Sequence, residues 1–235
     1  GSGEALYFDG EDDFAFMEHD PSRSVTQGTI AFWAKPDDLG QWSTMVSKDA
    51  KGPQDGGHLR IGHTNEGELF LRLAPGDGGG NKAWKTTDAQ FEEGEWTHNA
   101  VTYTQAGVTV TVNGDPINAN QWEAIEGDVA NPNGYTEYFP LQNEENWVFG
   151  ADAYRSELND TAQEFALDDE DLQKPFEGAL ADFGVWGGCT PDDARDVGQI
   201  NDLMDNGPGA ALTNPSGQQP MLAGDDTFDG LGGAD

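Results

Sequence analysis

The sequence is poor in cations, in cysteine and in long apolar runs. It has 11 Lys and Arg residues against 44 Asp and Glu residues, which gives a formal net charge of −33. So few cations argue against nucleic-acid binding, because phosphates must be neutralised, and against anionic membrane surfaces. No apolar run reaches the roughly 18 residues of a membrane-spanning helix. The single cysteine, Cys189, excludes an intrachain disulfide and a thiolate zinc site.

Two origins of the acidity are open. Carboxylates can be gathered to bind Ca²⁺, which prefers oxygen ligands. They can also form a solvated surface suited to salty, marine surroundings, where salt screens the self-repulsion. We expect most of the charge to belong to the surface and a few carboxylates to be ligands.

Short period-two runs separated by Gly-rich turns dominate the chain, and such runs are typical of β-strands. The clearest is the hairpin-like run 95–115, in which Val108, Val110 and Val112 alternate before an Asn113-Gly114 turn. Strands are predicted at 5–8, 14–17, 29–35, 44–47, 58–62, 68–73, 96–104, 108–112, 147–150 and 177–186. This pattern indicates an all-β sandwich or barrel.

One short helix is predicted near the C-terminus. Thr190 is the expected N-cap, with Pro191 in the first turn. Ala194, Val197, Ile200 and Met204 follow at helical spacing, and Gly207 ends the pattern.

Four segments resemble the laminin G-like (LamG, concanavalin A-like) family, in the family's order. They are Leu6, Phe8, Asp9, Gly10, Asp12, Asp13 and Phe14; Thr29, Ile30, Phe32, Trp33, Lys35 and Pro36; Trp96, His98, Ala100, Thr102 and Tyr103; and residues 178–186 with the following helix. The resemblance covers roughly residues 4–204 and implies a two-sheet antiparallel jelly-roll sandwich. The family mostly binds ligands and seldom catalyses.

The resemblance also implies a structural Ca²⁺ site built from Asp9, Asp12, Asp13 and Asp182. The family's other Asp in the last strand is Ala181 here. By period two, Asp182 shares a face with Leu180, Gly184 and Trp186, where an isolated carboxylate is costly without a partner. Asp13 is the weaker candidate, since neighbours in an extended chain point apart. Alternatively, Asp9 makes only an Asx turn and Asp182 accepts backbone N–H groups.

Two long insertions, 118–146 and 152–175, interrupt the strand pattern, and long loops are often functional. Aromatic rings outside the apolar strands are the predicted ligand-binding residues, because sugars stack on such rings. They are Trp42, Trp84, Trp122, Tyr135 and Tyr138. In the alternative interpretation, these rings only anchor the insertions to the body.

We assign no catalytic residue and no cofactor other than Ca²⁺. His98 is interpreted as a core histidine, because no nucleophile motif accompanies it. His58 and His63, five residues apart, should lie on opposite faces of a strand and form no metal site. The acidic run 168–171 is interpreted as a solvated face, and the E-x-D-x-E motif of sandwich glucanases is absent.

We expect a sandwich domain at 1–207, followed at 208–235 by a linker and the start of RTX-like repeats. Gly224 and Gly233 are nine residues apart, as are Asp226 and Asp235, the predicted Ca²⁺ ligands of the tail. The alternative is an acidic Gly-rich linker.

The expected function is Ca²⁺-supported recognition of a glycan or a cell-surface protein. The expected context is a monomeric module of a large secreted or cell-surface bacterial protein, such as an adhesin. The alternatives are a polysaccharide-degrading enzyme of the concanavalin A-like class and a spacer without ligand. A polyanionic substrate is disfavoured by the net charge of −33.

Overall fold

The protein, as a computed structural model, is described over residues 5–19, 27–49, 58–74, 80–135, 143, 145–152, 173–188, 194–206 and 231–232. The strands are β1 (Leu6–Asp9), β2 (Phe14–Met17), β3 (Gln27–Pro36), β4 (Ser43–Lys48), β5 (His58–His63), β6 (Glu68–Ala74), β7 (Lys82–Ala89), β8 (Thr97–Thr104), β9 (Gly107–Val112), β10 (Asp115–Pro116), β11 (Trp122–Glu126), β12 (Trp147–Phe149), β13 (Glu177–Gly188) and β14 (Leu231–Gly232). The helix α1 spans Val197–Asn206.

These strands form two antiparallel sheets. The six-stranded sheet has the order β1-β13-β3-β8-β9-β10, and the eight-stranded sheet has the order β11-β7-β6-β5-β4-β12-β2-β14. The predicted two-sheet sandwich with one short C-terminal helix is confirmed.

The main core lies between the two sheets and follows the period-two rule. Leu69, Leu71 and Leu73 of β6 point inward with no exposed surface, and Ile30 and Phe32 of β3 face them in the same cluster. Each such side chain contributes about 1.5–3 kcal/mol when it leaves water. The outer faces of both sheets are therefore where other chemistry can lie.

All ten predicted strands are present, with ends shifted by up to two residues. Four strands were not predicted: β7, β10, β11 and β14. β11 lies inside the predicted 118–146 insertion and pairs with β7, so that segment is not a structureless loop. β14, in the tail, pairs with β2.

Asp182 lies in a β-bulge of β13. Ala181 pairs with Trp33 and Gly184 pairs with Ala31, so two residues of β13 oppose one residue of β3. Asp182 has a φ of 52°, in the left-handed region that residues other than glycine rarely adopt. The bulge is a strained, specific feature of this strand.

The bulge reverses the side-chain alternation along β13. Leu180 and Val185 both lie in the core between the sheets, whereas Trp186 packs in a separate cluster with Ala31 and Ile200. A one-residue insertion moves every following side chain to the other face. The prediction of one common face from Leu180 to Trp186 is therefore wrong.

The helix begins later than predicted. The N-cap is Asp196, whose Oδ1 accepts from the N–H of Gln199 at 2.8 Å, while Gln199 Oε1 accepts from the N–H of Asp196 at 3.0 Å. This reciprocal pair is a capping box. The described residues 194–196 are not helical, so the predicted start near Thr190 is wrong. Ile200 packs the helix onto Ala31 and Ala100 of the six-stranded sheet.

Candidate functional site

The acidic turn between β1 and β2 brings three predicted carboxylates together. Oxygen atoms of Asp9, Asp12 and Asp13 lie within 4.8 Å of one another. Asp9 Oδ1 also accepts from the N–H of Glu11 at 2.8 Å, and Asp13 Oδ2 accepts from the N–H of Asp9 at 3.1 Å. The Asx turn of the alternative interpretation is thus present, and the turn curls both Asp12 and Asp13 towards Asp9.

Asp182 is not part of this cluster. Asp9 pairs with Glu177 at the start of β13, and Asp182 lies five residues farther along that strand. At about 3.3 Å per residue, the separation is about 15 Å. The predicted four-residue set is therefore divided, and Glu177 is the acidic residue that β13 places beside the turn: a Cβ on Gly10 would lie 3.3 Å from its Oε2.

Three of the predicted ligand-binding aromatics are core residues. Trp84 has no exposed surface, Tyr135 is 1% exposed and Trp122 is 7% exposed. The Trp84 Nε1 donates to Val129 O at 2.7 Å, and its ring meets Tyr135 edge to face at 5.8 Å. These rings anchor the segment after β10 to the sheet, so their assignment as sugar-stacking loop residues is corrected. Tyr138, Asp226 and Asp235 lie outside the described residues.

Trp42 is the predicted aromatic that remains partly exposed. It lies just before β4, on the outer face of the eight-stranded sheet, where its ring meets Phe70 of β6 edge to face with 5.4 Å between the centroids. Its Nε1 donates to Asn65 Oδ1 at 3.1 Å. The indole is thereby fixed in position while part of its surface stays open to solvent.

A row of outward residues crosses the sheet from Trp42. The register places Gly62 of β5 beside Phe70, then Lys85 of β7 beside Phe70, and Glu123 of β11 beside Lys85. We call Trp42, Gly62, Phe70, Lys85 and Glu123 the cross-strand row. Gly62 has no side chain, and the Ser43 carbonyl of β4 occupies the space that a Cβ there would take.

Ion pairs hold the charged end of the cross-strand row. Lys85 Nζ lies 2.7 Å from Glu68 Oε1 and 3.7 Å from Glu123 Oε2. The hydrogen bond to Glu68, with the attraction of the nearby carboxylates, raises the pKa of Lys85. The Glu123 side chain is 62% exposed. The row therefore ends in an ammonium and one exposed carboxylate, that of Glu123, whereas the Glu68 carboxylate is buried.

A buried ionic network lies next to this row. Asp49 accepts from Arg72 and pairs with His58, both at 2.6 Å, and Arg60 lies 3.3 Å from Asp152. The Arg60 guanidinium also stacks over Phe70 at 4.8 Å. Sequence reasoning missed this network, because its members lie far apart in the chain. The signal available in the sequence was that His58 and Arg60 of β5 and Arg72 of β6 occupy outward-facing strand positions.

The histidine predictions are confirmed in part. His58 and His63 lie on opposite faces of β5: His58 contacts Asp49, whereas His63 packs against Phe91 and Phe176. His98 is 2% exposed, and burial lowers the pKa of His98 to about 4. Its Nδ1 has no hydrogen-bond partner among the described residues, so it is a neutral buried ring but not a fully satisfied one.

The described part of the chain has no helix with the length and apolar character needed to span a bilayer. No curated protein shows significant sequence similarity to the chain.

Solved structures show the same fold at low identity. A heptameric SAP-like pentraxin from Limulus polyphemus is 17% identical, with a TM-score of 0.55 and coverage of 86% of this chain and 82% of that chain. The CBM40 of a Ruminococcus gnavus IT-sialidase, bound to α2,3-sialyllactose, is 16% identical, with a TM-score of 0.54 and coverage of 84% of this chain and 94% of the CBM40. The LG1-3 region of the laminin α2 chain is 16% identical, with a TM-score of 0.52 and coverage of 79% and 31%.

The sequence itself matches a laminin G family profile over residues 8–193, which spans both sheets up to the segment before α1. The chain therefore belongs to the concanavalin A-like lectin/glucanases superfamily.

Proposed function

We propose that the chain is a carbohydrate-binding module that holds a glycan along the cross-strand row of the eight-stranded sheet. The observation that carries the proposal is the partly exposed Trp42, fixed by Phe70 and Asn65. Pre-ordered aromatic rings lose little conformational entropy on binding, so contact with them converts efficiently into affinity.

The chemistry of the row suits a sugar. The apolar C–H face of a pyranose stacks on an indole, while its hydroxyls need both donors and acceptors. Glu123, whose side chain is 62% exposed, offers a carboxylate acceptor, and the neighbouring Lys85 offers an ammonium donor.

The comparisons support this class of function. The superfamily includes lectins, and a similar fold carries the sialyllactose-bound CBM40 of the Ruminococcus gnavus enzyme. A glycan fits the cross-strand row better than a flat protein partner does, because the exposed aromatic surface there is one ring wide. An extracellular place within a larger chain belongs to the same proposal.

The test is a glycan array followed by calorimetry on the best ligand. Trp42→Ala should weaken binding at least about ten-fold, as expected for a stacking anchor, with an unchanged circular dichroism spectrum. Trp42→Phe keeps an aromatic ring and serves as the matched control, with most of the affinity retained. Wild-type affinity in Trp42→Ala would refute this choice of face.

The proposal is binding without catalysis. Prolonged incubation with each glycan that binds should release no reducing ends. Turnover that a single carboxylate substitution abolishes would instead establish the glycanase alternative.

We also propose that Ca²⁺ binds at the acidic turn. Oxygens that share a Ca²⁺ lie about 2.3–2.6 Å from it, so donor atoms within 4.8 Å of one another can share one ion. Asp9, Asp12 and Asp13 would hold the ion, and it would fix the β1–β2 turn. Its role is therefore structural, and no binding step passes through it.

A further inference from the structure

The outer face of the six-stranded sheet is half covered. Helix α1 places Ile200 over Ala31, Ala100 and Trp186. The other half, towards the edge strand β1, carries no described helix. An exposed apolar surface beside a covered one needs an explanation, because soluble proteins seldom leave clustered aromatic rings open to water.

Two of the most exposed large apolar residues lie on this open half. Among the described residues, Tyr7 is 58% exposed and Trp96 is 41% exposed; the others in this class are Ile125 and Val197. The neighbouring Phe8 and Thr97 are buried, so the alternation of each strand turns Tyr7 and Trp96 outward.

The strand register places the two rings in one line. Tyr7 of β1 pairs with Ala179 of β13, and Ala179 pairs with Lys35 of β3. β3 and β8 pair from Gly28 to Ala34, and one step beyond that register sets Trp96 beside Lys35. We call Tyr7, Ala179, Lys35 and Trp96 the aromatic patch. Three strand spacings of about 4.8 Å separate its rings by about 14 Å.

The surface of the patch is recessed at a small residue, and aromatic rings border it. Ala179 contributes only a methyl group between Tyr7 and Lys35. In the next row, Trp33 is partly exposed and packs edge to face on His98 at 5.2 Å. Trp33 is thereby held rigidly beside the patch, and its indole extends the aromatic surface between the two rings.

Polar groups stand beside the rings. Lys35 Nζ lies 3.2 Å from Asp37 Oδ1, and both side chains remain more than a quarter exposed. Desolvation, followed by the charges of Asp37 and Glu177 and a hydrogen bond to Asp37, raises the pKa of the Tyr7 phenol. Asp37 therefore lies within reach of both Tyr7 and Lys35, where it can accept from a ligand hydroxyl.

The net charge of the chain limits the kinds of ligand that can bind at the aromatic patch. A polyanion and a second copy of the chain are both repelled by a net charge of −33. Asp37 balances the charge of Lys35, so the patch carries no net positive charge that would hold an anion. Exposed rings separated by a small residue, with a carboxylate acceptor beside them, fit the C–H faces and hydroxyls of uncharged sugars.

We propose that the aromatic patch is a second glycan-binding site, specific for neutral polysaccharide chains, and that the module bridges two chains. This rests on the proposed carbohydrate-binding function, but not on the cross-strand row being its only site. The sheets of a sandwich lie about 10 Å apart and the two sites are on opposite outer faces, so one short oligosaccharide cannot reach both. A second chain must fill the second site, and multivalent binding follows.

The test is calorimetry with neutral hexasaccharides of glucan, xylan, mannan and arabinan. The wild-type protein should bind with a stoichiometry of two on the matching sugar. The double variant Tyr7→Ala/Trp96→Ala and the single variant Trp42→Ala should each keep one site. Val197→Ala is the matched control, an exposed apolar residue on the covered half of the same face, and it should keep both sites.

A bridging readout separates the two proposals. With the matching polysaccharide, the wild-type protein should cross-link the chains and raise turbidity, and the double variant should bind without cross-linking. A stoichiometry of one that only Trp42→Ala abolishes would overturn the second site and leave the proposed function intact. Binding of none of the four sugars would overturn the neutral second site, and the glycan array would decide the proposed function separately. Concentration-dependent dimerisation in sedimentation, lost in the double variant, would assign the patch to a second copy and overturn the glycan proposal.

Discussion

Trp42 and Phe70 meet edge to face at 5.4 Å, with an interplanar angle of 65°. Gly62 lies beside Phe70, and its lack of a side chain lets the β4 backbone that follows Trp42 approach closely. On its other side Phe70 carries the Arg60 guanidinium at 4.8 Å. The Trp42 indole, the Phe70 ring and the Arg60 guanidinium therefore form one stack that connects the exposed indole to the buried ionic network.

Substitution of Gly62 should disturb this stack. A Cβ there would lie 2.0 Å from Ser43 O, so β4 would have to move away from β5. We expect Gly62→Ala to lower the free energy of unfolding by about 1–3 kcal/mol, as in other overpacked sites. Urea denaturation measures the change.

Gly134→Ala is the control for this experiment. The nearest atom to its Cβ would be the Asn131 side-chain oxygen at 3.7 Å, an ordinary contact. Its free energy of unfolding should stay within about 0.5 kcal/mol of the wild type. Equal stability of the two variants would contradict the tight approach of β4 to Gly62.

Two tryptophans predicted to bind ligand should respond differently. Trp84 is fully buried, so Trp84→Ala should cost about 3–5 kcal/mol of stability through loss of burial and an empty cavity. Trp42→Ala should lower the free energy of unfolding much less and should weaken glycan binding instead. Parallel thermal melts and binding titrations distinguish them, and a large loss of stability in Trp42→Ala would assign that residue to packing.

The difference between these tryptophans was not readable from the sequence. The segment around Trp84 reads Asn81-Lys82-Ala83-Trp84-Lys85, and its two lysines hide a strand pattern. In the structure, Lys82 Nζ forms an ion pair with Asp128 Oδ1 at 2.7 Å. Cross-strand partners distant in sequence decide the burial of such a segment, so β7 and β11 were missed together.

The apolar strands, in contrast, were predictable because each carries its own period-two pattern. The bulge at Asp182 was not, since it depends on how β13 fits β3 and leaves no local mark in the sequence. The candidate sites follow the same division. The acidic turn is local and was found, whereas the cross-strand row and the aromatic patch exist only after strand pairing.

Calcium should stabilise the protein through the acidic turn. A ligand that binds only the native state raises the melting temperature by mass action. Asp12→Asn should abolish most of the rise that millimolar Ca²⁺ produces. Asp182→Asn should keep it, because the bulge lies about 15 Å along β13 from the residue that pairs with Asp9. Thermal melts with Ca²⁺ and with chelator measure both, and a chelator without effect on the wild-type protein would refute the site.

Lys48 should give the protein a pH-dependent stability. Its side chain is 1% exposed, its Nζ donates to Asn143 O at 3.1 Å and to Glu145 O, and it lies 5.7 Å from the Trp147 ring centroid. Burial, partly offset by the charge of Glu145, lowers the pKa of Lys48 from 10.5 to about 7.

The sign of the effect follows from proton binding. Between pH 7 and 10.5 the unfolded chain keeps the Lys48 proton that the folded chain has lost. Stability attributable to Lys48 therefore rises with pH across this window, by at most about 1.4 kcal/mol per pH unit, and the full cost of burying the charge persists below it. Lys48→Met removes the titration and retains an unbranched apolar stem. Urea denaturation of both proteins from pH 6 to 10.5 should show their difference in unfolding free energy shift in favour of the wild type as pH rises. A difference that stays constant would show that Lys48 keeps an ordinary pKa, with its charge solvated through the carbonyls of Asn143 and Glu145.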